Sequence, residues 1–233
     1  GQLQTLLGGP PVVNYAVSGY GFDQIYLRFR ETYRAYDRPV ILLGLMTLNL
    51  DRSILQVRDA PKPYFVLKDD QLKLAGVPLP SDADAWHRRH PPQIVSYLGA
   101  WMRRRIQLAM GPGAETEIPY RQAAKKRLNR RILEAAVEEA RVQNLPLIVV
   151  LFYPHWELEM EGWRERFLKR ELERLQVPYL DTKSLLVAAL EDRSLEELYY
   201  PAPNNHPNET GNRLIAEALA EMVKSEREPG AAS

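Results

Sequence analysis

Two uncharged apolar runs constrain this chain more than any other feature. Pro146 to Phe152 (PLIVVLF) follows a long charged stretch, Arg121 to Gln143, and Pro39 to Leu45 (PVILLGL) follows a shorter amphipathic one. A strand with one wet face alternates apolar and polar residues. A run that is apolar at every position suits a strand covered on both faces, as in a parallel sheet. Parallel neighbours need a crossover between them, usually a helix, and the charged stretch before the stronger run has the length and pattern of one.

The rest of the chain repeats this alternation. Gln2 to Leu7 reads as the end of a helix, stopped by Gly8-Gly9-Pro10-Pro11. Val12 to Val17 reads as a short buried strand running into a glycine turn. Phe22 to Tyr36 carries Ile25, Leu27, Phe29 and Tyr33 as a helical stripe. Residues 54 to 92 are irregular, with a hairpin across Tyr64 to Leu74, and Gln93 to Met110 reads as a helix ending at Gly111-Pro112-Gly113. Helix Trp163 to Leu175, strand Pro178 to Asp181, helix Ser184 to Leu190 and helix Glu209 to Lys224 complete the order. The expected fold class is α/β, a parallel sheet with helices on both faces. One domain spans 1–224, with an atypical insertion at about 54–120 and a frayed tail at 225–233.

Composition excludes several classes of function. A net charge of +1 exerts no strong pull on nucleic acid or acidic membranes, so no nucleic-acid partner is expected. The clusters Arg103-Arg104-Arg105 and Lys125-Lys126-Arg127 read as solvated helix faces. With no cysteine there is no disulfide, thiolate metal site or cysteine nucleophile. No apolar run is long enough for a transmembrane segment. His87-x-x-His90, with Asp82 and Asp84 nearby, has a spacing open to a metal, but Pro91-Pro92 interrupts the helix, and neither metal nor cofactor is expected. The chain starts at Gly1 and not at methionine, which reads as a cut terminus. An anchor upstream would place the protein at the cell envelope, and the compartment and oligomeric state are otherwise undecided.

In an open α/β sheet the functional crevice lies beyond the carboxyl ends of the strands. The polar segments there are Ser18-Gly19-Tyr20-Gly21, Thr47 to Arg52, and Tyr153-Pro154-His155-Trp156. Gly19 and Gly21 suit a turn with positive φ or close backbone approach, whose N–H groups can meet developing negative charge. Asn49 can donate a second hydrogen bond to that charge. His206, in the loop before the last helix, is the candidate base, because imidazole titrates near neutrality. Each residue also has a plain structural reading: a tight turn, a loop-stabilising asparagine, and a helix entry capped by Asn208.

In combination these segments resemble the SGNH/GDSL hydrolases. Val12-Val13-Asn14-Tyr15-Ala16-Val17-Ser18-Gly19-Tyr20-Gly21 is similar to the family's second conserved block. Leu48-Asn49-Leu50-Asp51-Arg52 is similar to a degenerate third block. His206-Pro207-Asn208-x-x-Gly211-Asn212 is similar to the histidine block. The blocks fall in the family's order over nearly the whole chain. The resemblance implies a three-layer α/β/α fold with a flavodoxin-like sheet. It also implies ester hydrolysis through an acyl-serine: Gly19 and Asn49 would stabilise the oxyanion and His206 would activate the serine. The implied substrate is a small ester or an acylated carbohydrate.

The pattern breaks in two places. The family's Gly-Asp-Ser block precedes the second block, whereas residues 1–11 contain neither serine nor aspartate. Ser18 does not fit Gly-x-Ser-x-Gly and is a weak substitute. Pro203 and Asn204 stand where the histidine-orienting aspartate belongs. An asparagine can hold the ring but favours the wrong tautomer, a change that cost a serine-protease triad about 10⁴ in rate. The first strand is therefore expected to be missing, leaving a gap that an upstream segment or another part of the chain would fill. Two alternatives stand beside hydrolysis: O-acyl transfer onto a cell-envelope polysaccharide, and a catalytically inactive binding or assembly domain.

Overall fold

The computed structural model of the chain describes residues 1–9, 11–58, 60–91, 96, 98–99, 101–102, 105–106, 119–201, 204 and 206–227. Its elements run in the order α1 (Gln2–Leu7), α2 (Phe22–Thr32), β1 (Ile41–Met46), α3 (Asn49–Arg52), β2 (Val57–Arg58), β3 (Ala60–Pro61), β4 (Tyr64–Lys68), β5 (Gln71–Ala75), α4 (Ala83–Arg89) and α5 (Pro119–Val142). They continue with β6 (Leu147–Phe152), α6 (Trp163–Arg174), β7 (Tyr179–Asp181), α7 (Thr182–Ala189), α8 (Leu195–Leu198) and α9 (Glu209–Arg227). The helix expected at Gln93 to Met110 and its glycine stop lie for the most part outside the described residues.

The two apolar runs pair with each other. β1 and β6 are parallel from Ile41 opposite Leu147 to Met46 opposite Phe152. β7 joins the far side of β6, with Val149 opposite Tyr179, giving the order β1-β6-β7. β6 is the central strand, and Leu147 to Leu151 are all buried. That is why this run carries no polar residue: both of its faces meet helices and both of its edges meet strands. The fold is α/β, a parallel sheet flanked by helices.

The helices bury stripes at helical spacing. In α5 the stripe is Leu128, Ile132, Leu133, Ala136, Val137 and Ala140. In α2 and the 3-10 turn after it the buried apolar and aromatic residues are Phe22, Tyr26, Phe29 and Tyr33, whereas Ile25 and Leu27, expected in the stripe, are only half-buried. The aromatic side chains reach the core because each covers more surface than the aliphatic ones beside it. The Tyr64 to Leu74 hairpin is present as β4 and β5. Its two-residue turn puts Asp69 and Asp70 at φ 50° and 60°, the left-handed conformation that matches strand twist.

One expected strand is corrected. Val12 to Val17 forms no strand, and Val12, Val13, Tyr15 and Val17 are 38–48% exposed. A strand exists by pairing, and among the described residues none pairs with this segment; Tyr15 instead hydrogen-bonds Tyr36 hydroxyl to hydroxyl at 2.7 Å. β1 accordingly ends the sheet, with β6 on one side and no described strand on the other.

Candidate functional site

The carboxyl end of β1 turns directly into α3, and Asn49 stands at the turn, 7% exposed. Its Oδ1 accepts from the Met46 N–H at 2.5 Å, and its Nδ2 donates to the Tyr20 carbonyl at 2.7 Å. This one amide ties the strand end to the loop carrying Gly19. Gly19 has φ +86°, a conformation that favours glycine, and its carbonyl accepts from Arg58 Nη1. Its own N–H makes no hydrogen bond among the described residues. The structure thus brings together Gly19, Tyr20 and Asn49 and adds Arg58, from the region that reads in the sequence as an insertion.

Gly21 enters α2 under tight constraint. A Cβ there would lie 2.5 Å from Asp23 Oδ1, 2.7 Å from the Arg52 carbonyl carbon and 2.8 Å from the Ser53 nitrogen. Two of these atoms are backbone, so they cannot swing aside. Gly21→Ala is expected to cost about 1–3 kcal/mol through overpacking, read as a lowered urea midpoint at unchanged m-value.

Asp23, on the first turn of α2, is fully buried against Lys62, whose Nζ donates to Oδ2. Burial pushes its carboxyl up to about 6, against the lowering effect of the Lys62 ammonium. This pair ties the Gly19–Gly21 loop to the 54–91 region a second time. Nothing in the local sequence marks it, because the partners are distant along the chain.

On the next strand end, Glu157 accepts from the Thr47 hydroxyl at 2.6 Å, and burial raises its carboxyl above the ordinary range, partly offset by that hydrogen bond. Asp51 holds Lys125 at 2.6 Å and Arg164 at 2.7 Å. Sequence reasoning misses Thr47, Asp51 and Glu157 as site residues; the one signal for them is their position just beyond β1 and β6. The His155 ring lies edge-on to Tyr199, centroids 6.3 Å apart, and Tyr199 forms an isolated bridge with Pro207.

His206 is exposed, and its carbonyl accepts from the Tyr200 N–H at 2.9 Å. Its ring makes no hydrogen bond among the described residues. Asn204 is exposed too, its N–H donating to the Pro201 carbonyl at 3.1 Å, and no hydrogen bond joins it to His206. Asn208 caps α9, its Oδ1 accepting from Thr210 N and Gly211 N at 2.9 and 3.2 Å. Ser18 is exposed.

In the His87–His90 segment, Asp82 caps α4 by accepting from Ala85 N at 2.8 Å, and the His90 ring stacks on Trp86 at 4.3 Å. Among the described residues no group of three or more His, Asp or Glu side chains could hold a metal ion. No described helix is long and apolar enough to cross a membrane. No protein-family model, curated protein or solved structure matches this chain.

Proposed function

We propose that the chain carries the charge-stabilising part of an SGNH/GDSL-type centre acting on the ester bond of a carboxylester or an acetylated carbohydrate. The Gly19 N–H and the second hydrogen of Asn49 Nδ2 are the donors offered to the tetrahedral oxyanion. His206 is the base toward a serine that this chain does not contain. The observation that carries the reading is the Asn49 amide bridging Met46 and Tyr20, because it fixes Asn49 at the end of a strand against the loop that carries Gly19, and donors held in place stabilise developing charge. The accompanying fold is a flavodoxin-like sheet without its first strand, a reading supported by β1 lying at the sheet edge and by the unpaired segment 12–17.

The rival reading, a catalytically inactive binding or assembly domain, draws support from the Arg58 guanidinium on the Gly19 carbonyl and from the absence of a hydrogen bond between Asn204 and the His206 ring. An NMR titration with a short-chain acetate ester tests the first reading. Amide shifts should concentrate at Gly19, Tyr20 and Asn49, with the His206 ring responding; shifts confined to other surfaces would favour the rival. The chain alone is expected to hydrolyse p-nitrophenyl acetate no faster than its His206→Ala variant. Turnover abolished by Ser18→Ala would overturn the view that the nucleophile is missing. Should turnover occur, release of free acid alone in the presence of a sugar acceptor would count against acyl transfer.

A further inference from the structure

On another part of the surface, α5, α6 and the hairpin tip enclose a cleft of about 620 Å³ whose charged lining is unbalanced. Glu171 is buried and shares its oxygens between Arg130 and Arg174, each at 2.8 Å. Glu134 accepts from Arg131 at 2.7 Å and from Arg174 at 2.6 Å. Asp70, at the hairpin tip, takes Arg127 at 3.0 Å and also pairs with Arg131. Among the described residues Arg170 approaches Glu171 alone, at 3.6 Å, beyond hydrogen-bond range. Five guanidiniums therefore share three carboxylates, leaving two positive charges uncompensated among the described residues.

Acceptors are short as well as charges. Each guanidinium carries several N–H donors, and Arg130 Nε is buried with no hydrogen-bond partner. Clamping of α5 against α6 accounts for Arg130 and Arg174, and Arg131 ties α5 to the hairpin tip. These pairings leave Arg170 without a partner at hydrogen-bond distance, and Arg127 with one half-exposed carboxylate, among the described residues. These two side chains are the most exposed of the five, at 63% and 66% for Arg127 and Arg170, and they come from different helices lining the same cleft. The carboxylates hold the other guanidiniums in fixed orientation, so the entropy cost of binding an anion is confined to ordering Arg127 and Arg170.

We propose that this cleft binds a small phosphorylated molecule carrying at least two negative charges. Planar guanidiniums match phosphate oxygens two at a time, and the volume falls in the range of small-molecule sites and not of macromolecular interfaces. The site is separate from the Gly19–Asn49 loops and stands independently of the ester-cleaving reading.

Isothermal titration with inorganic tripolyphosphate, at physiological ionic strength, tests this. Saturable one-to-one binding is expected, with sulfate at equal ionic strength binding more weakly because it carries fewer charges and oxygens. The Arg127→Gln/Arg170→Gln variant should weaken binding at least about tenfold, equivalent to about 1.4 kcal/mol, with an unchanged Tm in the absence of ligand. Arg193→Gln, on an exposed turn elsewhere, should leave binding unchanged. A nucleoside diphosphate and a sugar diphosphate run in parallel identify the source of the phosphates: the tighter binder is the better match. Absence of saturable binding by all three probes, equal loss in Arg193→Gln, or undiminished binding in the double variant would each overturn the proposal.

Discussion

Replacing Lys62 with methionine is expected to destabilise the folded chain by up to about 3–5 kcal/mol, the range found when one partner of a buried ion pair is removed, the loss growing as pH rises above about 6. The loss should shrink as pH falls toward about 6. Asp23 is 0% exposed and Lys62 5% exposed, so the remaining carboxylate has no water to turn to. Already in the intact chain, burial pushes the Asp23 carboxyl from its ordinary 3.8 to about 6. Without the ammonium, both of the contributions from Lys62 that lower it vanish, and the carboxyl rises further.

The pH dependence follows from proton linkage. Between the unfolded and the folded pKa the folded chain holds more protons than the unfolded chain, so the contribution of this group to stability falls as pH rises. In the intact chain that fall is confined to the window from about 4 to about 6. In Lys62→Met it continues to higher pH, and the two stability curves separate. Below about pH 6 the folded-state carboxyl is protonated with or without Lys62, so the two curves run parallel, apart from packing. Chemical denaturation across this range measures the separation. A pH-independent loss would mean that Asp23 reaches solvent, contrary to its complete burial. The double variant Asp23→Leu/Lys62→Met should recover most of the stability, because two apolar side chains need no counter-charge.

What is legible in the sequence follows from how local each signal is. β1 and β6 are readable because burial on both faces leaves an uncharged run, and α5 because its buried positions recur at helical spacing. The cap at Asn208 is readable for the same reason: a capping side chain bonds residues two or three positions on. Val12 to Val17 looks like a strand since valine and tyrosine favour extended pairing, but pairing needs a neighbour, and none lies beside it among the described residues. The Asp23–Lys62 and Arg58–Gly19 contacts are invisible because both join the loop region to a segment of irregular pattern. That segment reads as an insertion apart from the site, whereas its Arg58 and Lys62 pack directly on the loop.

Asn49→Ala is expected to cost about 2–4 kcal/mol and to loosen the Gly19 loop selectively. The substitution orphans the Met46 N–H and the Tyr20 carbonyl together, and each unsatisfied buried group costs about 1–3 kcal/mol. Part of the cost is recovered where water reaches the half-buried Tyr20. Asn49→Asp separates the two bonds. Its carboxylate still accepts from Met46 N but can no longer donate to Tyr20, and it sets a negative charge against that carbonyl. Amide hydrogen exchange distinguishes the variants: exchange at Met46 should accelerate in Asn49→Ala and stay slow in Asn49→Asp, while the Tyr20 and Gly21 amides should accelerate in both. The same two variants bear on the proposed chemistry. Both remove the Asn49 donor aimed at an oxyanion, and Asn49→Asp also adds a charge that repels one, so any acetate-ester response at Gly19 should be weakest in Asn49→Asp. Exchange that changes nowhere, with a stability loss under about 1 kcal/mol, would mean that the strand end and the glycine loop are joined by something other than this amide. The proposed oxyanion donors would then lack the anchor that this amide is taken to supply.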